Sequence, residues 1–356
     1  MNIFVTGGTG FLGSSLVKRL IEESHNVFVL VRSIKKAEAL LARLESHEKD
    51  FLHIVEGDLS LEGAGVAEND LTRLIGKIDV FYHSAAYLSF DENEREKLFH
   101  INVGGTKNVL ELAEALQVKK FIHVSTAYTL GNRNNGVEAL YPLEETTFLN
   151  AYEESKCTAE HTVMSYQDVF DVVIMRPGII IGDSRTGEAD TTFGLYGILK
   201  AVELLKRRTM RMAQPRLENY RLMMDQHTKS NLIPVDYVTN LLMLGLDYGE
   251  KNTVYNLTNH MPPSNDSIMK MIREVFDFPT IELISPDKAG ELTQEEVKIN
   301  QALAIFKDYL NRTITFDDKN TRKLLEQAGL PILNMDGQML RTIIEGFLTR
   351  KQLITN

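Results

Sequence analysis

Short apolar runs alternate with amphipathic stretches through the first half of the chain. The apolar runs, bounded by polar or glycine-rich turns, are typical of buried strands. They lie at residues 2–6, 27–31, 51–57, 79–84, 120–125 and 171–176. Patterns of helical period lie between them near residues 12–23, 34–47, 93–116 and 151–168. Parallel strands joined by helical crossovers predict an α/β fold with a doubly wound sheet.

The second half of the chain is less regular. It contains an insertion-like stretch from residue 182 to about residue 231, followed by a seventh predicted strand at residues 253–258. Further helical patterns lie near residues 264–276, 290–310, 318–328 and 336–350. We therefore predict a larger domain, residues 1–182 and 232–258, and a smaller C-terminal lobe, residues 183–231 and 259–356.

Composition narrows the class of protein. Cys157 is the single cysteine among 356 residues, which excludes an internal disulfide and favours a reducing compartment. The N-terminal residues lack the pattern of a signal peptide. No stretch reaches the roughly 18 apolar residues of a membrane span. We expect a cytoplasmic protein, and the net charge of −10 argues against general nucleic-acid binding.

A glycine-rich turn, VTGGTGFLG, follows the first predicted strand and opens the first predicted helix. The first glycine permits a tight turn, the second lets a pyrophosphate approach the backbone, and the third allows close packing of helix on strand. The helix N-terminus offers free N–H groups to phosphate. The candidate cofactor contacts are Gly7, Thr9, Gly10, Phe11, Leu12 and Gly13. The alternative is a turn with a structural role alone.

Cations follow the second predicted strand, in the sequence LVRSIKK. A cofactor without a 2′-phosphate favours an acidic residue at this point, whereas Arg32 and Lys36 suit a 2′-phosphate. We therefore predict NADP(H), although Lys35 and Lys36 are equally compatible with a solvated helix start. Asp58, at the end of the third strand, is a candidate acceptor for the adenine amino group, or else a turn-forming aspartate.

Tyr152 and Lys156 are four residues apart in a predicted helix, so both lie on one face. A nearby ammonium group favours phenolate and is expected to lower the pKa of Tyr152 from about 10 toward neutrality. Ser125 and Thr126 end the fifth strand, at the sheet edge where folds of this type bind ligands. The alternative is an exposed Tyr–Lys pair. After a glycine turn and a hydroxyl-bearing strand end, we interpret the pair as catalytic.

The ordered motifs TGGTGFLG, GDLS, HSAA, NVGGTKNVLELA, VSTAYTLG, Tyr152-x-x-x-Lys156 and RPGIIIG resemble those of the extended short-chain dehydrogenases/reductases. The resemblance implies that Tyr152 exchanges the proton, that Lys156 binds the nicotinamide ribose, and that Thr126 is the third catalytic residue. It implies further cofactor contacts at Leu59, Ser84, Ala85, Ala86, Asn102, Ser125, Pro177, Gly178 and Ile179. It also suggests a homodimer through the helices near residues 93–116 and 151–168.

Three sequences, LVRS, RPGIIIGDSRTGEADTTFG and NLIPVDYVTN, resemble the thioester-reductase-like branch of that group. This implies an enzyme that uses NADPH to reduce a carbonyl compound or an acyl thioester, with the C-terminal lobe binding the substrate. An NAD(P)-dependent sugar-nucleotide epimerase or dehydratase is the first alternative, because it shares the Thr, Tyr and Lys. A module that senses NADP without turnover is the second.

A cationic segment at residues 199–212 stands out in an otherwise acidic chain. Its cations are Lys200, Lys206, Arg207, Arg208 and Arg211. One hypothesis is a landing site for coenzyme A or for a phosphopantetheine arm on a carrier protein. The other is a solvated helix face. The nine histidines are not spaced as metal ligands, so we predict no metal.

Overall fold

The computed structural model describes residues 1–211, 219–301, 303–304 and 307–355, with side chains as far as residue 350. Its described strands are β1 (Asn2–Thr6), β2 (Asn26–Val31), β3 (Leu52–Glu56), β4 (Val80–His83), β5 (Lys120–Val124), β6 (Asn135–Gly136), β7 (Asp171–Pro177), β8 (Ile179–Ile181), β9 (Tyr220–Met223), β10 (Leu232–Pro234), β11 (Thr253–Leu257), β12 (Ile281–Ile284) and β13 (Thr315–Phe316).

The described helices are α1 (Phe11–Glu22), α2 (Ile34–Leu41), α3 (Glu68–Leu74), α4 (Arg95–Phe99), α5 (Gly105–Ala115), α6 (Ala151–Met164), α7 (Leu195–Met210), α8 (Val235–Tyr248), α9 (Asn265–Val275), α10 (Gln294–Gln301), α11 (Lys307–Leu310), α12 (Lys319–Gln327) and α13 (Gly337–Thr355). A π-helical turn, His100–Gly104, joins α4 to α5. In the described part of the chain, no helix is both long and apolar enough to cross a membrane.

The chain divides into two compact units. Unit one comprises Met1–Gly178, Val238–Thr258 and Phe316–Ile332, and unit two comprises Ile179–Tyr237, Asn259–Thr315 and Leu333–Asn356. Residues 316–332 therefore fall outside the lobe in which the sequence placed them. The reason is that α12 packs on β11, where Asn320 Nδ2 donates to Val254 O over 3.0 Å and Thr321 Oγ1 donates to Asn256 O over 3.1 Å.

Unit one is built on a seven-stranded sheet in the order β11-β7-β5-β4-β1-β2-β3. All of its strand pairs are parallel. The order reverses at β1, with β2 on one side and β4 on the other, which is the arrangement of a doubly wound fold. The predicted α/β class and the doubly wound parallel sheet are confirmed.

Aromatic rings form the core on one face of this sheet. Phe4, Phe81 and Phe121 occupy paired positions on β1, β4 and β5. Their ring centroids are 4.8 and 5.3 Å apart, and Phe121 also stacks on Phe170 at 5.3 Å. Side chains of one strand face alternate sides, so the residue two positions further along each strand returns to this face. On these three strands that residue is polar.

The polar row above the rings consists of Thr6, His83 and His123, again at paired positions on β1, β4 and β5. All three are almost completely buried. On this face of the sheet, an aromatic core therefore gives way to a row of hydrogen-bonding side chains only two residues further along each strand. This layer lies at the carboxyl ends of the strands, where open sheets of this type bind ligands.

A buried ion pair joins α6 to β7. Arg176 Nε and Nη2 donate to the two carboxylate oxygens of Glu160 over 2.7 and 2.5 Å, and neither side chain is exposed to solvent. Arg176 also donates to Val137 O over 3.0 Å and lies 4.8 Å from the centroid of the Tyr141 ring. The pair satisfies the geometry that a buried charge requires. Nothing in the spacing of these residues along the chain predicts the pair.

Unit two contains two short parallel sheets, β8 with β10 and β9 with β12. One helix expected from the sequence near residues 290–310 is wrong as a single element, because α10 ends at Gln301 and α11 begins at Lys307. Asn300, near the end of α10, accepts from Met223 N over 2.6 Å and donates to Arg221 O over 2.9 Å. These bonds tie the end of α10 to β9. Residues 302, 305 and 306 lie outside the described residues.

We predict that Glu160→Gln destabilises the protein by about 3–5 kcal/mol, because it leaves the buried Arg176 guanidinium without its counter-charge. Urea unfolding measures the change. The matched control is the double variant Glu160→Leu, Arg176→Met, which removes both charges and is expected to lie much closer to wild type. Equal losses in the single and double variants would show that packing, not the charge, is responsible.

Candidate active site

The glycine turn brings β1, α1 and the end of β4 into close contact. Gly7 has a φ of +75°, and a Cβ on it would lie 2.6 Å from Ala85 N. A Cβ on Gly13 would clash with the carbonyl of Gly7, which accepts instead from Gly10 N over 2.9 Å. Gly10 is the N-cap of α1 and offers no side-chain cap. The first N–H groups of α1 are therefore presented at an exposed turn formed of backbone, as a phosphate requires.

The cations predicted to meet a 2′-phosphate are exposed beyond the end of β2. The side chains of Arg32, Lys35 and Lys36 are exposed to solvent around the start of α2. Asp58 Oδ1 accepts from Ser60 N over 2.9 Å and from Ser60 Oγ over 2.8 Å, so the carboxylate closes a turn. These bonds, and to a lesser degree the charge of Arg32, lower the pKa of Asp58. The side chain stays ionised at neutral pH.

A further cation, not predicted from the sequence, lies beside the glycine turn. Arg43 Nη1 donates to Ser14 Oγ over 3.2 Å, and Ser14 lies in the first turn of α1. Arg43 follows α2, so tertiary structure alone places it at this helix. Leu59, after Asp58, is half-buried, and its carbonyl accepts from Asn108 Nδ2 of α5 over 2.7 Å.

The segment after β4 is held by Asn102, which lies in the π-helical turn and is 2% exposed. Asn102 Oδ1 accepts from Tyr87 N over 2.7 Å, while its Nδ2 donates to Tyr87 O and to Ser155 Oγ over 2.9 and 3.0 Å. Ser155 Oγ in turn donates to Tyr152 O over 2.8 Å. Ser84 and Ala85 are half-buried and Ala86 is exposed. Asn102 thus connects the predicted cofactor contacts to the helix that carries Tyr152.

The N-terminus of α6 is capped on several sides. Asn150 Oδ1 accepts from Glu153 N over 3.0 Å, and Glu153 Oε2 accepts from Leu149 N over 3.2 Å, which is a reciprocal capping arrangement. Ala151 N donates to Glu92 Oε1 over 3.1 Å. The sequence contains the signal for this cap, Asn-x-x-Glu directly before the helix. The cap defines where α6 begins, and therefore where Tyr152 stands in its first turn.

Lys156 lies one turn after Tyr152 and is 2% exposed. Its ammonium group donates to Val124 O over 2.9 Å and lies 3.5 Å from His123 Nε2. Burial lowers the pKa of Lys156 to about 8, against an opposing effect of Glu160. An ammonium group donates only, so His123 Nε2 accepts and the ring proton lies on Nδ1.

Tyr152 is half-buried, and its ring meets Phe90 edge to face at 6.1 Å. Burial raises the pKa of Tyr152 well above its ordinary value, and the Glu153 carboxylate raises it further. The expected lowering of this pKa by Lys156 is wrong for the described structure, because the Lys156 ammonium group bonds to the end of β5 and burial dominates at Tyr152. Tyr152 is therefore protonated at neutral pH, and it is available as a proton donor.

The hydroxyls that follow β5 differ in their bonding. Ser125 is 5% exposed, and its Oγ has no hydrogen-bond partner among the described residues. Thr126 is 8% exposed, and its Oγ1 accepts from Tyr128 N over 3.3 Å. An unpaired buried hydroxyl is unfavourable by about 1–3 kcal/mol unless a bound group pairs with it. Ser125 is therefore the clearest sign in unit one of a site shaped for a ligand.

A buried hydrogen-bonded network lies beneath these residues. His83 Nδ1 lies 2.7 Å from Thr6 Oγ1 and its Nε2 lies 2.9 Å from Thr106 Oγ1, which donates to Asn102 O. Burial, with a smaller effect of the Lys156 charge, lowers the pKa of His83 to about 3 and that of His123 well below its ordinary value. Both rings are neutral at pH 7. Sequence reasoning tested these histidines only as metal ligands and missed this role.

The remaining predicted contacts follow β7. Pro177 and Gly178 are buried, and Gly178 N donates to Leu257 O over 3.0 Å. Ile179 is half-buried and starts β8 of unit two, where its N–H donates to Asn231 O over 2.9 Å.

The cations on α7 have local partners. Lys200 and Arg207 pair with Glu203 over 3.4 and 2.8 Å, and Arg208 pairs with Glu295 over 3.0 Å. Lys206 donates to Phe276 O. Each of these four cations has a partner, which favours a bonded helix face over a phosphate landing site, although Glu203 and Glu295 balance only two of the four charges.

Comparison with known proteins identifies the family. Residues 5–242 match the model of an NAD-binding family described as Male sterility protein. The chain belongs to this family. It is thereby an extended short-chain dehydrogenase/reductase of the thioester-reductase-like branch, a class that binds a nicotinamide cofactor.

Individual proteins similar to this chain support the same family assignment. The chain is 28% identical over 287 residues to fatty acyl-CoA reductase wat of Drosophila melanogaster, and the match covers 68% of this chain and 53% of that protein. The family member described here thus spans about half the length of that relative. The terminal R domain of the myxalamid PKS-NRPS pathway superposes with a TM-score of 0.82 at 24% identity, covering 98% of this chain and 90% of that one.

A sugar-nucleotide enzyme shares the fold. DesIV, a dTDP-glucose 4,6-dehydratase from Streptomyces venezuelae bound to NAD and TYD, superposes with a TM-score of 0.72 at 18% identity, covering 99% of this chain and 98% of that one. At these identities the solved structures establish the fold of the chain.

The buried ammonium group gives a prediction about pH. Lys156 loses its proton near pH 8 when folded and near 10.5 when unfolded, so the folded state binds fewer protons between these values. Stability contributed by this site therefore rises with pH across that window, by up to about 3 kcal/mol. Unfolding free energies measured from pH 7 to 10 should show the rise in wild type and in the exposed control Lys18→Met, but not in Lys156→Met. Parallel curves for wild type and Lys156→Met would contradict it.

Proposed function

We propose that this family member reduces an acyl thioester with NADPH, and that Thr126, Tyr152 and Lys156 carry the reaction. The observation that supports this most is the first turn of α6: a protonated Tyr152 hydroxyl one helical turn before a buried ammonium group. Lys156 contacts the end of β5, which Ser125 and Thr126 follow, and a proton donor, an ammonium group and a hydroxyl are the groups that carbonyl reduction needs. The relative named as a fatty acyl-CoA reductase suggests the thioester substrate.

The residues of unit one fit a nicotinamide dinucleotide. The turn from Gly7 to Gly13 offers backbone N–H groups at the start of α1, with glycine where the backbone packs most closely. Ser125 Oγ is buried and has no hydrogen-bond partner among the described residues. We assign the adenine end to Asp58 and Leu59, the middle to Ser84, Ala85 and Ala86 with Asn102 as support, and the nicotinamide end to Ser125, Pro177, Gly178 and Ile179.

When bound, the reduced cofactor supplies a hydride to the carbonyl carbon. Thr126 Oγ1 already accepts from Tyr128 N, so its proton is the part that can bind the carbonyl oxygen. Tyr152 gives its proton to that oxygen as negative charge develops there. The carbon–sulfur bond would then break, the hydroxyl proton would pass to the leaving thiolate, and aldehyde, thiol and oxidised cofactor would be released, with the tyrosinate regaining its proton from water. Lys156 stabilises the tyrosinate that remains.

In this proposal the two units bind different molecules. Unit one holds every proposed cofactor contact except Ile179, which belongs to unit two, and unit two binds the acyl thioester, which is either free or attached to a carrier. A sugar-nucleotide epimerase or dehydratase remains a second candidate, because DesIV shares the fold. The higher TM-score of the terminal R domain, 0.82 against 0.72, favours the reductase. A cofactor-sensing module would not need Tyr152 to be protonated beside a buried lysine.

The proposal predicts stoichiometric oxidation of NADPH when the purified protein meets acyl thioesters, followed as loss of absorbance with release of thiol. Tyr152→Phe should lower turnover by about 100-fold or more, because the ring stays and the transferable proton is lost, while cofactor affinity is retained. Lys156→Ala should impair both.

The matched control is Tyr166→Phe, which removes a hydroxyl just beyond the other end of α6 and should leave turnover unchanged. Conversion of a sugar nucleotide without net cofactor consumption, with thioesters of every chain length unreacted, would replace the reductase proposal by the epimerase. Near wild-type turnover in Tyr152→Phe would show that another group donates the proton.

Cofactor preference tests Arg32. A charge-assisted contact between its guanidinium and the 2′-phosphate should favour NADPH over NADH by about 10- to 150-fold in dissociation constant. Arg32→Asp is expected to reverse the preference, since a carboxylate repels the phosphate and binds a free 2′-OH. Lys49→Asp, an equal charge change at another exposed site, is the control. Equal affinities of wild type for the two cofactors would remove Arg32 from this role.

A further inference from the structure

Unit two contains a cavity of about 410 Å³ beside α13. A loop before α7 forms one wall and the last described turns of α13 form the other. The volume lies within the range of about 300–1,000 Å³ that is usual for small-molecule sites. No residue assigned above to the cofactor or to the reaction lines it.

The walls are held at close backbone contact. Gly187 has a φ of +71°, and a Cβ on it would clash with Thr342 O of α13. A Cβ on Gly346 would clash with Gly187 O. The loop is also braced internally, because Asp183 Oδ1 accepts from the backbone N–H groups of Arg185 and Thr186 over 2.9 and 3.0 Å. The cavity is therefore formed by ordered backbone before any ligand arrives.

The lining presents ring faces and small side chains. Tyr196 and Phe347 have ring centroids 6.3 Å apart, and Phe347 stacks at 6.2 Å on Phe276. Tyr196 lines the cavity, and its hydroxyl accepts from Gly182 N over 2.7 Å. Ala189 is 6% exposed, whereas Phe193 is 38% exposed. An apolar ligand would cover the Phe193 ring and gain free energy in proportion to the area removed from water.

The charges in the lining compensate each other. Arg350 Nη2 lies 2.6 Å from Asp190 Oδ1, and Arg350 Nη1 donates to Ala189 O. Both side chains are about half exposed, at 47% and 54%, and Asp190 already supplies the counter-charge of Arg350, so the lining carries no net charge that would attract an anionic ligand. An uncharged, flexible, apolar group fits both the rings and the neutral ion pair.

We infer that this cavity binds a hydrocarbon chain of an acyl or alkyl compound. The chain has two possible sources: the acyl group of the thioester, which rests on the proposed function, or a free alkyl compound such as a fatty alcohol. The two sources present the same uncharged hydrocarbon chain to the lining of the cavity.

The chain contains no tryptophan, so Phe347→Trp places a single fluorophore in the cavity. Titration with 1-decanol, without cofactor, should give a saturable blue shift of its emission. Affinity should rise about fourfold for each methylene from hexanol to decanol. Tyr248→Trp, at an exposed position of unit one, is the control. No saturable shift, or the same shift in both variants, would overturn the inference.

A variant with a larger side chain in the lining tests whether decanol binds inside this cavity. Ala189→Leu, combined with Phe347→Trp, should weaken decanol binding at least 10-fold, and unchanged binding would overturn the inference. Calorimetry of decanol binding to wild type and to Ala189→Leu repeats the comparison without tryptophan. Ala139→Leu, at an exposed position of unit one, controls for the added side chain.

Kinetics then separate the two sources. If the thioester supplies the chain, Ala189→Leu should raise KM for decanoyl thioesters about 10-fold and leave butyryl thioesters unchanged. If KM is unchanged while decanol binding is lost, the cavity is confirmed as a site for a free alkyl compound. The decanol titration needs no NADPH. A failure of the proposed reductase activity can therefore be told apart from a failure of ligand binding in the cavity.

Discussion

The burial of one ammonium group organises the candidate site. Lys156 is 2% exposed, and a charge removed from water needs donors and acceptors that replace the solvent. Val124 O and His123 Nε2 provide them at 2.9 and 3.5 Å. His123 belongs to the polar row at the ends of β1, β4 and β5, so Lys156 joins α6 to that row and to the end of β5.

The polar layer extends from Lys156 to the glycine turn. His83 contacts Thr6 on β1, directly before Gly7, and Thr106 on α5. Asn102 continues the network to Ser155 and the backbone of Tyr152. Thr6, His83, Thr106, Asn102 and Ser155 all have partners in this network, whereas His123 Nδ1 has none among the described residues, and groups paired in this way are held in one arrangement. The parts assigned to the cofactor and the parts assigned to the proton transfer therefore share one rigid support in unit one.

The titration states suit a reductase. Tyr152 keeps its proton because burial disfavours the phenolate, while Lys156 is held near the point where it exchanges one. A reduction needs a donor that is protonated before the hydride arrives and a cation that stabilises the anion formed. Family membership and geometry therefore agree on the class of chemistry. In the proposed function the acyl chain is bound by unit two, whose described cavity is lined by aromatic rings, small side chains and one ion pair.

The sequence by itself determined the parallel sheet, because each buried strand is a separate apolar run bounded by a turn. It also determined the glycine turn and the Tyr152–Lys156 spacing, since these are local features of one turn or one helix. Tertiary structure alone decided the partners of Lys156, the Arg176–Glu160 pair and the reach of Arg43 to Ser14, because each joins residues from different elements. The pKa of Tyr152 was misjudged for the same reason: it depends on burial and on where the ammonium group points, and neither is encoded in spacing along a helix.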